Sequence, residues 1–563
     1  MKKISMILCV VMLISILSGC QGSKTNTDPA NGDQDTPVVS SEPVDPVVEE
    51  NTDPFYKYPE TVNLTAGVEV YGAAEKLPEG DTVEDNRYTR YFEEKTNIKV
   101  TNAFEAQFGD AYNQKVKLSF ASDDLPDFMI VRQSEYATFK QMAEFDMIAD
   151  LTEYYDTYVN PAIKVRYDSG DGSAINQVTL DGKLMALPEP ALMNDTTSLL
   201  WVRQDWLNNL GLTMPTTVDE IQNIAKAFRD NDPDQNGEND TVSLIAEPAL
   251  IQSDEGSLEA LFGSFDSYPQ YWYQKDGNVV YGSTTDETRT ALIKLAEMYA
   301  DGSIDKEFVS RTDNGELVSS GKAGIFFAPW WAPWSSLSDN VKNNPKADWV
   351  SVTAPFNKDG EYVSRVPAPN NCFLVVSSEC KNIDAVMRYF NVCTDQNPII
   401  EADLYEGESG LGESYRLSAV SMVLDYINAI PFKNYYYNKI LDGKAQIGDD
   451  EEINEFETQF NIDAINKVKS GTFEIADWGQ YAAYMIGAKP LYDNPKLKTL
   501  EGAYYGTTPT MELKWVNLKK IEMETFLSII TGSSDISAFD DFVIGWKSQG
   551  GDEITKEISD IVD

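Results

Sequence analysis

The sequence predicts an α/β protein with mainly parallel sheets covered by helices, and three observations carry that prediction. Between Val62 and Val131, short apolar runs alternate with segments whose apolar residues recur at helical spacing. From Leu199 to Phe228 the succession returns as a strand followed by two helices. The chain has 563 residues, 42% hydrophobic and 11% aromatic, enough for two or three ordinary domains or for two large lobes that share the chain.

The N-terminus precedes the fold. Lys2 and Lys3 supply a positive start, and Met6 to Leu17 is an apolar core too short to span a bilayer comfortably. The sequence Leu17-Ser18-Gly19-Cys20 resembles the end of a bacterial lipoprotein signal. By that resemblance residues 1–19 are removed, and Cys20 becomes a lipid-carrying N-terminus, anchored without a spanning helix. A plain secretion signal with a chance cysteine is the alternative. Gln21 to Asp53 holds almost no large apolar residue and is expected to be a disordered tether reaching roughly 30 Å.

The first lobe opens with a strand near Val62 to Val70 and a helix near Asp85 to Lys95, with Tyr88, Tyr91 and Phe92 on one side. A strand from Ile98 and a helix from Asp110 follow. Leu125 to Val131 is a buried strand whose far end holds Arg132 and Gln133. Ligands bind outside the carboxyl ends of such strands, so Arg132 and Gln133 are site candidates, against the alternative of surface residues before a helix.

Leu184 to Pro188, in the family that the later motifs resemble, crosses toward a second lobe. There Leu199 to Val202 is a strand, Gln204 to Leu210 a helix closed by Gly211, and Thr217 with Glu220 a capping-box start. Ile221, Ile224, Ala225 and Phe228 give that second helix a buried face. Ile325 to Ala328 is another strand, and Val350 to Ala354 is expected to return to the first lobe. Cys372 to Val376 and a helix from Asp384 to Cys393 belong there. Residues 396–508 are assigned to the second lobe, and 509–563 to closing helices.

Several functions are excluded by composition. The net charge of -46 opposes nucleic acid and anionic lipid. The chain has no histidine, which removes Ser-His-Asp and Cys-His nucleophile systems and histidine zinc sites. With 91 carboxylates, a glycosidase pair could be drawn almost anywhere and so signals nothing. Beyond the signal, Cys372, Cys380 and Cys393 are an odd set, read as buried thiols or as one bridge, Cys372–Cys380 or Cys380–Cys393, plus a free thiol.

Three stretches carry chemistry. Pro329-Trp330-Trp331-Ala332-Pro333-Trp334 is the densest aromatic cluster, and two prolines keep it out of a regular helix. Flat aromatic faces stack on sugar rings, so Trp330, Trp331 and Trp334 are ligand candidates. Trp272 stands in a second aromatic segment with Tyr268, Tyr271 and Tyr273. Asp232 to Thr241 places oxygens at positions 1, 3, 5 and 9 of a loop with Gly237 at 6, as in an EF-hand calcium loop. Position 12 is Ser243 instead of the bidentate glutamate. A calcium site and a metal-free acidic turn are both open.

The motifs LLWVRQDWLNNLGL, PTTVDE, DPDQNGENDT, GKAGIFFAPWWAPW and GWKSQGGDEITKEI together resemble the extracellular solute-binding proteins of carbohydrate ABC importers. The nearest branch is the large lipoprotein type of Bacillus- and Paenibacillus-like bacteria. The resemblance implies a type II periplasmic-binding-protein-like fold, with two lobes, each a mostly parallel sheet, discontinuous in sequence. The implied limits are 56–180 plus about 355–395 for the first lobe and about 181–354 plus 396–508 for the second. It implies a monomer on the outer face of the cytoplasmic membrane, closing around an oligosaccharide for an ABC permease and catalysing nothing. A ligand-sensing lipoprotein and a surface glycoside hydrolase are the rivals. It places Trp201 and Arg203 where the second lobe meets the cleft, and supports Trp330 on the sugar. Arg203 there points to an acidic or heavily hydroxylated ligand, or else pairs with Asp205. It implies calcium on Asp232, Asp234, Asn236, Glu238, Asp240 and Thr241.

Overall fold

A computed structural model describes residues 51–394 and 414–562, apart from 73, 75, 76, 252, 253, 312, 451 and 452. The signal, Cys20, the tether up to residue 50 and the stretch 395–413 lie outside the described residues. Within them the strands are, in chain order, β1 (Val62–Val70), β2 (Ile98–Gln107), β3 (Phe128–Arg132), β4 (Thr179–Leu180), β5 (Lys183–Leu184), β6 (Leu187–Pro190) and β7 (Leu199–Arg203). They continue as β8 (Trp272–Lys275), β9 (Asn278–Tyr281), β10 (Ile325–Ala328), β11 (Trp349–Val352), β12 (Tyr362–Arg365), β13 (Asn370–Val376) and β14 (Leu497–Leu500).

The first sheet has the order β2-β1-β3-β13-β6. β1 is parallel to β2 and β3, and β13 is antiparallel to β3 and β6, so four of the five strands run the same way. Its helices start where side chains satisfy the free N–H groups of a first turn. Asn86 accepts from the backbone N–H of Tyr88 and Thr89, and the Thr89 hydroxyl answers the Asn86 N–H, opening the helix Arg87–Thr96. Tyr88, Tyr91 and Phe92 then pack into the first core with Leu64, Phe128, Ile130 and Phe373.

The second sheet has the order β10-β7-β11. β7 is antiparallel to both neighbours, which corrects the expectation of a mostly parallel sheet in this lobe. The reason is that a fully buried run carries no sign of direction: all five residues of β7 are buried. Period two still splits them. Leu200 and Val202 join one core, with the capped helix Val218–Asp230 and the helices Pro509–Ile530 and Ser537–Trp546. Leu199 and Trp201 join another, with Phe326, Trp330, Trp349 and residues from Ile430 to Leu491.

Three expectations on chain course are corrected. Leu187–Pro190 is not a crossing segment but the edge strand of the first sheet. The stretch from Val350 does not return to the first lobe, because Val350–Val352 pairs with β7 and Ala354 sits in the second core. Residues Leu417, Ala419, Val420, Met422 and Leu424 pack in the first core, although 396–508 reads as second lobe. Cys372, Cys380 and Cys393 are all free and buried. Burial pushes each thiol up, to about 12 for Cys380, so they stay protonated and inert.

Candidate functional site

The chain passes between the first-sheet core and the second-sheet cores three times, at 191–198, at 366–369 and at about 425–429. The three passages are tied to one another. The Ala191 N–H donates to the Pro369 carbonyl at 2.9 Å, and the Met193 N–H to the Ile427 carbonyl at 2.8 Å. Passages tied side by side in this way are the kind of connection that serves as a hinge.

On the first-sheet side, register brings Arg132, Cys372 and Glu189 into one row across β3, β13 and β6, at the edge next to the hinge. Arg132 donates from Nε to Glu69 Oε1 at 2.7 Å, and its Nη2 also reaches Glu69 and the Tyr71 hydroxyl. The guanidinium lies 5.0 Å from the ring centre of Phe108, which is 54% exposed and stacks on Tyr71. Ser421 donates to Glu69 at 2.7 Å, and the Val423 N–H to Glu189 at 3.1 Å, so the strand entering the third passage covers this edge. Burial raises Glu189 above the ordinary carboxylate range, although Arg132 and the hydrogen bond from Asn371 pull the other way. Gln133 donates to the Tyr505 carbonyl at 3.1 Å, linking this edge to the segment after β14.

On the other side Trp330 leaves the end of β10 and donates from its indole N–H to Asp195, on the first passage, at 3.0 Å. Trp330 packs edge-on to Trp334, with ring centres 5.0 Å apart, and against Tyr484 at 5.3 Å. Trp330 is buried and Trp331 half-buried, while Trp334 is 45% exposed. Trp334 borders a depression of about 460 Å³ that is also lined by Asp313, Glu316, Ser335, Ser338 and Asp339. Below the rings, buried Lys433 pairs with Asp425 and Glu457, each at 2.6 Å. Burial opposes the Lys433 charge, but the two carboxylates outweigh it and hold the ammonium above its ordinary value.

Three candidates do not reach this region. Trp201 is fully buried, with its indole N–H on the Ala328 and Pro329 carbonyls, so no face is open to a ligand. Arg203 lies at the far end of the second sheet, because antiparallel pairing sets Leu199 opposite Ala328 and Val202 opposite Ile325. There it is 2% exposed and holds both Asp205 oxygens, at 2.7 and 2.6 Å, over the rings of Trp206 and Trp349. Of its two readings, the ion pair is the one formed. Trp272 is core, packed against Tyr281, Trp515 and Trp546.

The acidic loop follows the helix Val218–Asp230. Asp232, at φ 47°, accepts from the N–H groups of Asn236 and Gly237 at 3.2 and 3.1 Å. The Asn236 amide donates to Asp234 at 2.9 Å and to Asp240 at 3.2 Å, which puts a partial positive charge where a cation's ligands would converge. Asp234 keeps one buried carboxylate oxygen without a hydrogen bond. Burial and the hydrogen bond with Asp232 raise its pKa. Thr241 is turned inward, donating to the Phe228 carbonyl at 2.7 Å. Among the described residues no three Cys, Asp or Glu side chains are gathered as a metal cluster. The oxygen-only donors and the orphan oxygen of Asp234 nonetheless fit a hard cation.

Glu69, Tyr71, Phe108, Asp195, Lys433, Glu457 and Tyr484 are absent from the sequence candidates. Glu69 is the penultimate residue of β1 and falls under the same strand-end rule that selects Arg132. Tyr484 reaches Trp330 across a long stretch of chain, and no local pattern announces such a meeting.

A model of the bacterial extracellular solute-binding protein family matches residues 88–407. The polygalacturonan/rhamnogalacturonan-binding protein YtcQ of Bacillus subtilis is 28% identical over 38% of this chain and 41% of its own length. The chain thus spans about two-fifths of that relative. Lipoprotein LipO of the same bacterium is 24% identical over 80% of this chain and 84% of its own. The fold is similar to that of the substrate-binding protein FusA of Streptococcus pneumoniae, solved as an EF-hand mutant with fructo-nystose. The TM-score is 0.62 at 15% identity, covering 89% of this chain and 99% of that one.

Proposed function

The chain belongs to the bacterial extracellular solute-binding proteins, and from that premise we propose that it captures an oligosaccharide or polysaccharide fragment by closing about its hinge. The observation that carries the reading is the indole N–H of Trp330 held by Asp195 on a hinge passage, with Trp334 exposed beside it. On the first-sheet side exposed Phe108, stacked on Tyr71, supplies an aromatic surface, and Arg132 and Gln133 supply polar contacts, with buried Glu69 holding Arg132 in place. The kinship with sugar-binding relatives supports a sugar, and delivery to an ABC permease follows from the same kinship.

Binding proceeds without chemistry on the ligand. Anchoring through a lipid on Cys20 places the protein at the outer face of the membrane, as a monomer, with lobe limits shifted to the three passages. No helix among the described residues is long and apolar enough to cross a membrane. Calcium would be held by Asp232, Asp234, Asn236 and Asp240 with the Glu238 backbone carbonyl, and would supply fixed positive charge that ties the loop together.

The test is thermal melting of protein prepared from Gln21 onward against a panel of oligosaccharides. A ligand at a hundred times its dissociation constant should add about 2.7 kcal/mol, with the glycan recovered uncleaved. Cleaved glycan would identify an enzyme, and no shift with any glycan sinks the sugar reading.

A further inference from the structure

We propose that the ligand is a neutral, hydroxyl-rich oligosaccharide and not a polyuronate or other polyanion. This rests on the sugar-capture reading above and concerns its charge.

Recognition of a carboxylate needs a cation whose charge is not already spent. Here Arg132, Lys433, Arg365 and Arg203 are each already paired with a carboxylate. Arg132 has turned the Nε–Nη2 edge of its guanidinium, an edge that matches a carboxylate, onto Glu69. Lys433 sits between two carboxylates, Asp425 and Glu457. Arg365, near the second passage, holds both oxygens of Glu259. Arg203 is paired and lies at the wrong end of its sheet.

The balance also runs the other way. Around the hinge Glu69, Glu189, Asp195, Asp425 and Glu457 face Arg132, Lys433 and Arg416, the last lying 5.5 Å from the Tyr71 ring centre. Glu189 and Asp195 take their hydrogen bonds from neutral donors: Asn371, Cys372 and the Val423 N–H for Glu189, the Trp330 indole for Asp195. The depression beside Trp334 is lined by Asp313, Glu316 and Asp339, with no cationic side chain on its wall. A carboxylate accepts readily from a sugar hydroxyl and repels another carboxylate. The net charge of -46 adds a long-range field of the same sign, which slows the approach of any polyanion.

The experiment is isothermal titration of the folded chain with matched probes. Neutral fructo-, xylo-, manno- and malto-oligosaccharides are compared with oligogalacturonates of equal length, at low and high salt. At least one neutral probe should bind about tenfold or more tighter than its acidic counterpart. Its affinity should change by less than about twofold with salt, since no net charge is neutralised. Glu69→Gln releases the Arg132 charge and should raise oligogalacturonate affinity about tenfold. Should that variant fail to fold, Glu189→Gln removes a carboxylate bonded only to neutral donors and reads the same shift in preference. An oligogalacturonate that binds the native chain as tightly as every neutral probe overturns the proposal and leaves sugar capture standing. Failure of both classes to bind overturns sugar capture itself.

Discussion

Trp334 exposes 45% of its surface, while Trp330, four residues earlier, exposes 5%. The difference separates binding from stability. Trp334→Ala should cost less stability than Trp330→Ala, about 1 kcal/mol for its edge-on contacts with Trp330 and Tyr484, while weakening glycan affinity by about 1 kcal/mol or more. Trp330→Ala should lower both, since it also leaves Asp195 buried without its donor. Calorimetric titration beside denaturant melts checks the pair, and equal stability losses would remove Trp334 from the site. The clustering of these rings was legible from the two prolines, but their order of exposure was not, because it depends on Tyr484 from a distant helix. Glu522 gives a second prediction at this scale. It is buried in the second core, where the hydroxyls of Tyr281 and Ser283 donate to it, each at 2.8 Å. Burial lifts its pKa from 4.5 to about 7, with those hydroxyls partly opposing. The folded state therefore favours the protonated form. Its contribution is complete below about pH 4.5 and is lost as pH rises through about 7. Melting curves across that window should show the native chain losing about 2–3 kcal/mol relative to Glu522→Gln, and parallel curves would refute the assignment.

At the scale of elements, the helix Val218–Asp230 is the best-specified piece of the chain. The Thr217 hydroxyl accepts from the Glu220 N–H, and the Glu220 carboxylate accepts from the Thr217 N–H in return. Thr217→Ala should cost about 1 kcal/mol in chemical denaturation, and an unchanged midpoint would mean that tertiary packing alone holds the helix. Cap and buried face were both legible, because each depends on residues within one turn. The direction of β10 and β11 was not, since pairing partner and polarity are chosen by contacts far apart in sequence. The acidic loop beyond the helix carries a test of its own. Chelation should lower the melting temperature of the native chain, and Asp234→Ala should abolish the difference between calcium and chelator. A native chain indifferent to chelation would make the loop a metal-free turn.

For the whole molecule, the three passages join what lies on either side of them. Among the described residues one core lies on the first-sheet side of the three passages, and two large cores with a small tyrosine cluster lie on the other. Calorimetry of the free protein should resolve two unfolding steps that draw together when glycan joins the faces. A single step with and without ligand would mean that the faces are already locked. Two-lobed organisation was legible through family motifs, but the points where the chain passes from core to core were not, because a buried strand and a buried connector look alike in composition. The discontinuity has a consequence for biosynthesis. β13 fills the place between β3 and β6, yet it is made only after β7, β10 and β11. As the chain emerges N-terminus first, β3 offers the bare apolar edge Met129–Val131 until all of that later sequence has followed. The first sheet cannot complete itself vectorially, so premature termination before Asn370 should yield an aggregating fragment, not a stable half-receptor.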